Sequence, residues 1–516
     1  MIQRHIKIFL TFLCLLLFFT SIIRADDAGG TELNKKTMPL SIDRGKLLVL
    51  KKNLDIAIEK IVPQIEAVKV DKERGDFDPL FSSSFKREDS TTPLSSRSSV
   101  AAGGRGSVES EVYSLNTGVS GKVPLGTEYS VGFEDIWTEN TFNEFQAEYD
   151  SFAGIRITQP LLKNFGSDIN RFDIHIAQKN EEISVNELKT DVIDIVADFK
   201  NAYWDMVLSI ENLKVKEESL RLAESLLDMN RKRLKAEVVS PLEVIQAEAG
   251  VASRREAVIM AGINVKEKEN ILKRLISADV YSLRDIDIIP TDKPVVIPVA
   301  LELEENIKDG IENRPDYRKI KVEIEKNDLE IQYAKNQKFP NIDLEASYGY
   351  NGLGDSFNNS LKEMDDNPEW SLGMVVKIPI GNRAARGDLR IAQLDAEKAL
   401  LNLKNMEQQI IVEIDNAIRK VDMNRQRIEV TKISTKLAEE SLRAEELKLK
   451  EGLSTSHDVL EFQEDLAEAK SREISAIIDY NKSQVELSRA KGMLLEDEGI
   501  RFYDEVSVKS GREAYQ

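Results

Sequence analysis

The sequence predicts an α+β membrane protein built as a tandem repeat, with groups of strands that cross a membrane and long helical hairpins that extend away from it. Three observations carry this prediction: a secretion-type N-terminus, an internal repeat at a fixed offset, and two hydrophobic periodicities in separate parts of the chain.

The N-terminus comes first. Arg4, His5 and Lys7 precede an apolar run from Ile8 to Ile23, and Ala25 stands before Asp26 and Asp27. A basic start, an apolar core and a small residue before an acidic pair form the pattern of a signal peptide over residues 1–25. Cys14, the one cysteine, lies inside that run. After cleavage the chain would hold no thiol for a disulfide, a metal or a nucleophile. It would also lose Arg4, Lys7 and Arg24, taking the formal net charge from −19 to −22. An acidic chain of this kind is not expected to bind nucleic acid, which needs basic surface. Of the 516 residues, 31% are charged and 6% aromatic, a balance that suits long amphipathic helices better than a compact enzyme. No later stretch is long and apolar enough for a membrane-spanning helix, so strands must do any crossing.

The repeat is read from paired identities. Asn201-Ala202 matches Asn416-Ala417, an offset of 416 − 201 = 215. The same offset joins Asp173 to Asp388, Ala177-Gln178 to Ala392-Gln393, Leu222-Ala223-Glu224 to Leu437-Ala438-Glu439, and Leu234-Lys235 to Leu449-Lys450. Upstream, Asp55 matches Asp316 and Pro79 matches Pro340, at 340 − 79 = 261. The larger offset means that the first copy carries extra residues between its first strand and its long helix.

The strand groups follow. After Pro340, Ile342, Leu344, Ala346, Tyr348 and Tyr350 alternate with polar residues and Gly349. After Pro368, Trp370, Leu372, Met374, Val376 and Ile378 alternate in the same way. Period two with one apolar face fits a sheet between two media, and equally a half-buried soluble sheet. Secretion and segments of about ten residues favour a membrane barrel. The first copy has matching segments at about 79–87 and 151–159, and between them a candidate hairpin over 112–137, turning at Pro124 to Thr127. Ser95–Ser110 reads as an exposed loop. Whether the hairpin joins the barrel wall or folds over its mouth is open at this level.

The long helices come last in each copy. Asp168–Lys235 and Arg386–Lys450 hold no proline, and only Gly387 interrupts the absence of glycine. Leu213, Leu220, Leu227 and Leu234 recur every seven residues, the spacing of a coiled coil. Such a helix runs ~100 Å at ~1.5 Å per residue and needs neighbours along its whole length. Turns follow at 236–241 and 451–456. Ser240 and Pro241 are set to start one returning helix, and Ser454 to Ser456 to cap the other.

Signal, repeat, strand groups and helical hairpins together resemble the TolC family of outer-membrane efflux proteins. The most telling stretches are Arg314-Pro315-Asp316-Tyr317 through Lys338-Phe339-Pro340-Asn341-Ile342, and Gly452-Leu453-Ser454 through Asp458-Val459-Leu460, then Gln463, Ala467, Ala469, Tyr480, Leu487 and Gly492. The resemblance implies a first repeat over 26–276, an equatorial linker over 277–313, a second repeat over 314–492 and an equatorial tail over 493–516. It implies a homotrimer in which each protomer gives four strands to a twelve-stranded outer-membrane β-barrel, continued by a periplasmic α-helical barrel. The implied function is an exit duct for efflux or type I secretion, with a periplasmic adaptor (membrane fusion) protein and an inner-membrane transporter as partners and outer-membrane lipid around it.

The resemblance also assigns residues. The acidic rings that narrow the periplasmic entrance fall on Asp458 and Glu461, with Glu243 on the facing tip. The adaptor-docking tips fall on Val238, Val239, Ser240 and Pro241, and on Gly452, Leu453, Ser454 and Thr455. The family's arginine and tyrosine latch is replaced here by Ser454 and Leu449, and Glu237 stands where a tip glycine would. No catalytic, metal or cofactor grouping is visible, and His175 and His457 have no ligand partners nearby in sequence. The other readings the residues allow are a secreted coiled-coil adaptor and a structural coiled-coil protein without a pore.

Overall fold

A computed structural model of the chain describes residues 36–101, 103–141 and 146–500. The expected signal peptide lies outside them, as do residues 501–516 of the expected tail. The order begins with β1 (Lys36–Leu40), α1 (Ile42–Lys52), α2 (Leu54–Glu59), α3 (Ile61–Arg74) and β2 (Leu80–Pro93). It continues with β3 (Ser107–Lys122), β4 (Glu128–Asn140), β5 (Glu148–Pro160), α4 (Phe172–Lys235), α5 (Pro241–Ile276) and β6 (Ile286–Pro290). Then come α6 (Leu303–Asn313), α7 (Pro315–Gln337), β7 (Asn341–Gly354), α8 (Phe357–Glu363), β8 (Pro368–Lys377), α9 (Arg383–Lys450) and α10 (Ser456–Ala490).

The two sequence offsets reappear as boundaries. α1 and α6 start 303 − 42 = 261 residues apart, and β2 and β7 start 341 − 80 = 261 apart. α4 and α9 both end at the 215 offset (450 − 235), and α5 and α10 both begin at it (456 − 241). The molecule is therefore two copies of helix, strand, long helix, turn and returning helix.

α4 and α9 have 64 and 68 residues. Neither is stable alone, and each packs against the returning helix that follows it. α10 also packs on α4, so the layer runs α9, α10, α4, α5. On the strand side of the equator α3 and α7 take the places of the returning helices. At the equator β1 and β6 pair in parallel, and a core of Leu40, Val49, Phe199, Tyr203, Leu272 and Ile288 closes around them. Gly45 is required there, because a Cβ would lie 2.2 Å from the Phe199 ring. Burial pushes the Tyr203 hydroxyl up to about 12 in pKa; the hydroxyl donates to Asp292 Oδ2 at 2.7 Å. No described helix is long and apolar enough to cross a membrane.

The other six strands form one antiparallel sheet in the order β2-β3-β4-β5-β7-β8. This corrects the strand count: one chain supplies six strands, not four. The candidate hairpin is the reason, for β3 and β4 pair along their full length between β2 and β5. The expected loop over Ser95–Ser110 is shorter than anticipated, since β3 begins at Ser107. The outer strands β2 and β8 are exposed almost throughout.

Candidate functional site

The helical tips lie farthest along the chain from the sheet, and both copies build them alike. At each, the helix ends in paired backbone bonds of a Schellman turn. Val238 N–H donates to Arg233 O at 2.9 Å and Glu237 N–H to Leu234 O at 2.9 Å. In the second copy Leu453 N–H donates to Lys448 O at 2.9 Å and Gly452 N–H to Leu449 O at 3.2 Å. The turn needs a left-handed residue, and Gly452 takes φ +75° without strain. Glu237 takes φ 56° in the same place, a conformation a side chain disfavours by about 1 kcal/mol.

The returning helices start differently. Thr455 caps α10: Asp458 N–H donates to Thr455 Oγ1 at 3.3 Å, and Asp458 Oδ2 accepts from Thr455 N–H at 3.0 Å and from its hydroxyl at 2.7 Å. These bonds hold the Asp458 carboxyl below the ordinary aspartate range. Ser454 bonds to Asp458 at 3.3 Å and also to Glu445, whose carboxyl is lowered by that bond and by Lys448. At α5, Ser240 occupies the cap position but its side chain makes no cap bond, contrary to the reading from sequence. The Glu243 N–H that it would serve donates instead to the Ser240 carbonyl at 3.2 Å. Pro241 takes the first turn as anticipated.

The residues expected at the docking tips are mostly open. Val238 is 62% exposed and Leu453, its repeat mate at 453 − 238 = 215, is 78% exposed. Glu461 is exposed on α10, while Asp458 is turned toward the cap.

Glu243 is joined to the other hairpin. Ser456, fully buried, donates to Glu243 Oε2 at 2.9 Å and accepts from Asn230 Nδ2 at 2.8 Å. About three turns deeper along α5, the buried Arg254 donates to Ser219 Oγ at 3.0 Å and to the Leu460 carbonyl at 2.7 Å. Burial pushes the Arg254 guanidinium down, with Glu464 acting against it. Asn230 and Arg254 were not singled out from the sequence, and Ser456 was read there only as a helix-capping residue. Asn230 had a readable signal: it falls three after Leu227 and four before Leu234, in the coiled-coil seam. A polar seam residue costs stability and fixes partner register.

Both copies of this architecture match known proteins. The family model described as outer membrane efflux protein matches residues 127–278 and 306–493, well over half of the chain. Nodulation protein T of Rhizobium leguminosarum bv. trifolii is 24% identical over 58% of this chain and 62% of its own. The toxin and drug export protein A of Aggregatibacter actinomycetemcomitans is 20% identical over 44% of this chain and 48% of its own. The chain thus spans less than two thirds of these curated relatives. Among solved structures, the Campylobacter jejuni CmeC outer membrane channel superposes with a TM-score of 0.67 at 16% identity, covering 92% of this chain and 94% of its own. The Vibrio cholerae outer membrane protein VceC gives 0.63 at 15% identity, over 87% and 96%. These structures share the fold, and the family match across both repeats supplies the assignment: the chain belongs to the outer membrane efflux protein family.

Proposed function

We propose that this chain is one protomer of a homotrimeric exit duct in the outer membrane, working with a periplasmic adaptor and an inner-membrane transporter in efflux or secretion. One observation carries the reading: each layer of the molecule ends on an apolar edge that is exposed among the described residues. On the sheet, Phe81 and Phe85 of β2 and Trp370 and Leu372 of β8 are each 65–72% exposed. On the helical layer, Ile245 and Ile259 of α5 and Val430 and Ile433 of α9 are each 60–67% exposed. Two unlike edges, one at each end of both layers, suit head-to-tail closure into a ring, which also removes the open strand edges that lipid does not tolerate. The name of the Aggregatibacter actinomycetemcomitans relative, toxin and drug export protein A, favours movement of solutes outward.

In this duct the tips form the periplasmic end, with Val238–Pro241 and Gly452–Thr455 as the adaptor surface and Asp458 and Glu461 as the acidic entrance facing Glu243. Membrane fractionation tests the proposal. The protein is expected in the outer-membrane fraction as a trimer that survives detergent and falls apart on heating; a monomer in the soluble periplasmic fraction would refute it.

A further inference from the structure

We infer that the inserted hairpin β3–β4 is part of the lipid-facing wall, so that three chains close a barrel of eighteen strands rather than twelve. This rests on the trimeric duct proposed above and adds a surface and a width to it.

The hairpin is built to the dimensions of the wall. β3 and β4 have 16 and 13 residues, beside 14 in β2 and 13 in β5. Their pairing with both neighbours is continuous: fourteen residues of β2 face β3, and eleven of β4 face β5. A flap folded over the mouth would leave β2 and β5 to pair with each other, whereas the hairpin separates them.

Its two faces also continue those of the sheet. Val119, Val131, Ile155 and Tyr348 stand at one level on β3, β4, β5 and β7. Val119 is 38% and Val131 50% exposed, close to the 37% and 48% of Ile155 and Tyr348. On the other face of the hairpin lie Asn116, Ser120, Ser130 and Glu134, with Arg156 and Ser347 on the same face of β5 and β7. Apolar outside and polar inside is the pattern of a water-filled barrel.

Two rows run straight through the hairpin. Gly118, Gly132, Gly154 and Gly349 are aligned across β3, β4, β5 and β7 on the polar face. A Cβ at Gly118 would sit 2.7 Å from the Val131 carbonyl oxygen, and one at Gly349 2.7 Å from that of Ala153. Missing side chains at one level let adjacent backbones approach and the sheet curve as one piece. On the apolar face, from the middle of β2 and β3 to the outer ends of β4 and β5, the rings of Phe85, Tyr113, Trp137 and Tyr149 follow one another at 5.8, 4.6 and 6.4 Å. Such a row matches the aromatic girdle that sits at lipid headgroups, and its two middle members belong to the hairpin. α8 covers part of the same face, from Ser151, which Ser360 meets at 2.7 Å, to Phe133 in mid-strand, which Phe357 meets edge-on at 6.2 Å.

The partner of this face is therefore the acyl chains of the membrane. Barrel diameter grows roughly linearly with strand number, so eighteen strands give a lumen about one and a half times as wide as twelve. The outer part of the duct is then no obstacle to a cargo that has cleared the tips.

The test uses full-length protein with Cys14→Ser and single cysteines, each variant first checked as a heat-labile trimer and placed in vesicles containing acyl-chain nitroxide lipid. Fluorophores at Val119→Cys and Val131→Cys should be quenched within about twofold of one at Ile155→Cys, and Ser120→Cys and Ser130→Cys should react with a water-soluble thiol reagent as Arg156→Cys does. Quenching at Ile155→Cys with none at Val119→Cys and Val131→Cys would overturn the inference and leave the duct standing. No quenching at any of the three would overturn both. Electron cryo-microscopy of the unsubstituted trimer in lipid supplies a second reading: eighteen strands in cross-section agree, and twelve contradict.

Discussion

Glu498 illustrates how single residues hold the equator. Its carboxylate meets Lys46 at 2.9 Å and also bonds Lys200, so one side chain ties the segment after α10 to α1 and α4. Burial alone would raise its pKa, but the two lysines outweigh that and hold it below the ordinary glutamate range. A lowered folded pKa means that the stabilisation is complete above the unfolded value of about 4.3 and is lost as the pH falls through the folded value. Glu498→Gln leaves two lysines near an uncharged amide. It should destabilise the protein by about 2 kcal/mol at pH 7, less than the full cost of breaking a deeply buried pair. Thermal unfolding should show the difference from the parent at pH 7 and its disappearance in acid. A difference that persists unchanged below the folded pKa would mean that the carboxylate charge is not what matters.

At the scale of elements, the tips add a structural role to the electrostatic one proposed for them. Asp458 caps α10 through Thr455, so replacing it with alanine would disturb the turn as well as the charge. Asp458→Asn with Glu461→Gln keeps hydrogen-bonding atoms in place and removes six charges from a trimer. The account predicts weaker cation preference, read as a shift of reversal potential in a salt gradient, with unfolding temperature nearly unchanged. An unchanged reversal potential would remove these carboxylates from the entrance. Much of this element-level picture was legible in the sequence, for physical reasons. Glycine- and proline-free heptads specify a helix wherever it packs, and α4 starts at Phe172 and ends at the expected Lys235. Alternation specifies a strand but not its neighbour, which is why the hairpin was visible while its place between β2 and β5 was not. The links of Asn230 to Ser456 and Arg254 to Leu460 join residues 226 and 206 positions apart, and no local pattern encodes such a meeting.

At the scale of the whole molecule, the chain is unfinished by itself. The same two edges that are bare on the sheet have counterparts on the helical layer, α5 and α9, and both layers carry apolar residues in the open. The proposed ring of three would satisfy strands and helices with one operation, and a lumen through the sheet and the helices would follow from closure. The central claim is that this assembly conducts, and recording from the purified trimer in a planar lipid bilayer tests it most directly. The account predicts discrete, trimer-dependent conductance steps that vanish once the sample is heated to monomers; a correctly folded trimer that inserts and passes no current under any salt or voltage would contradict it.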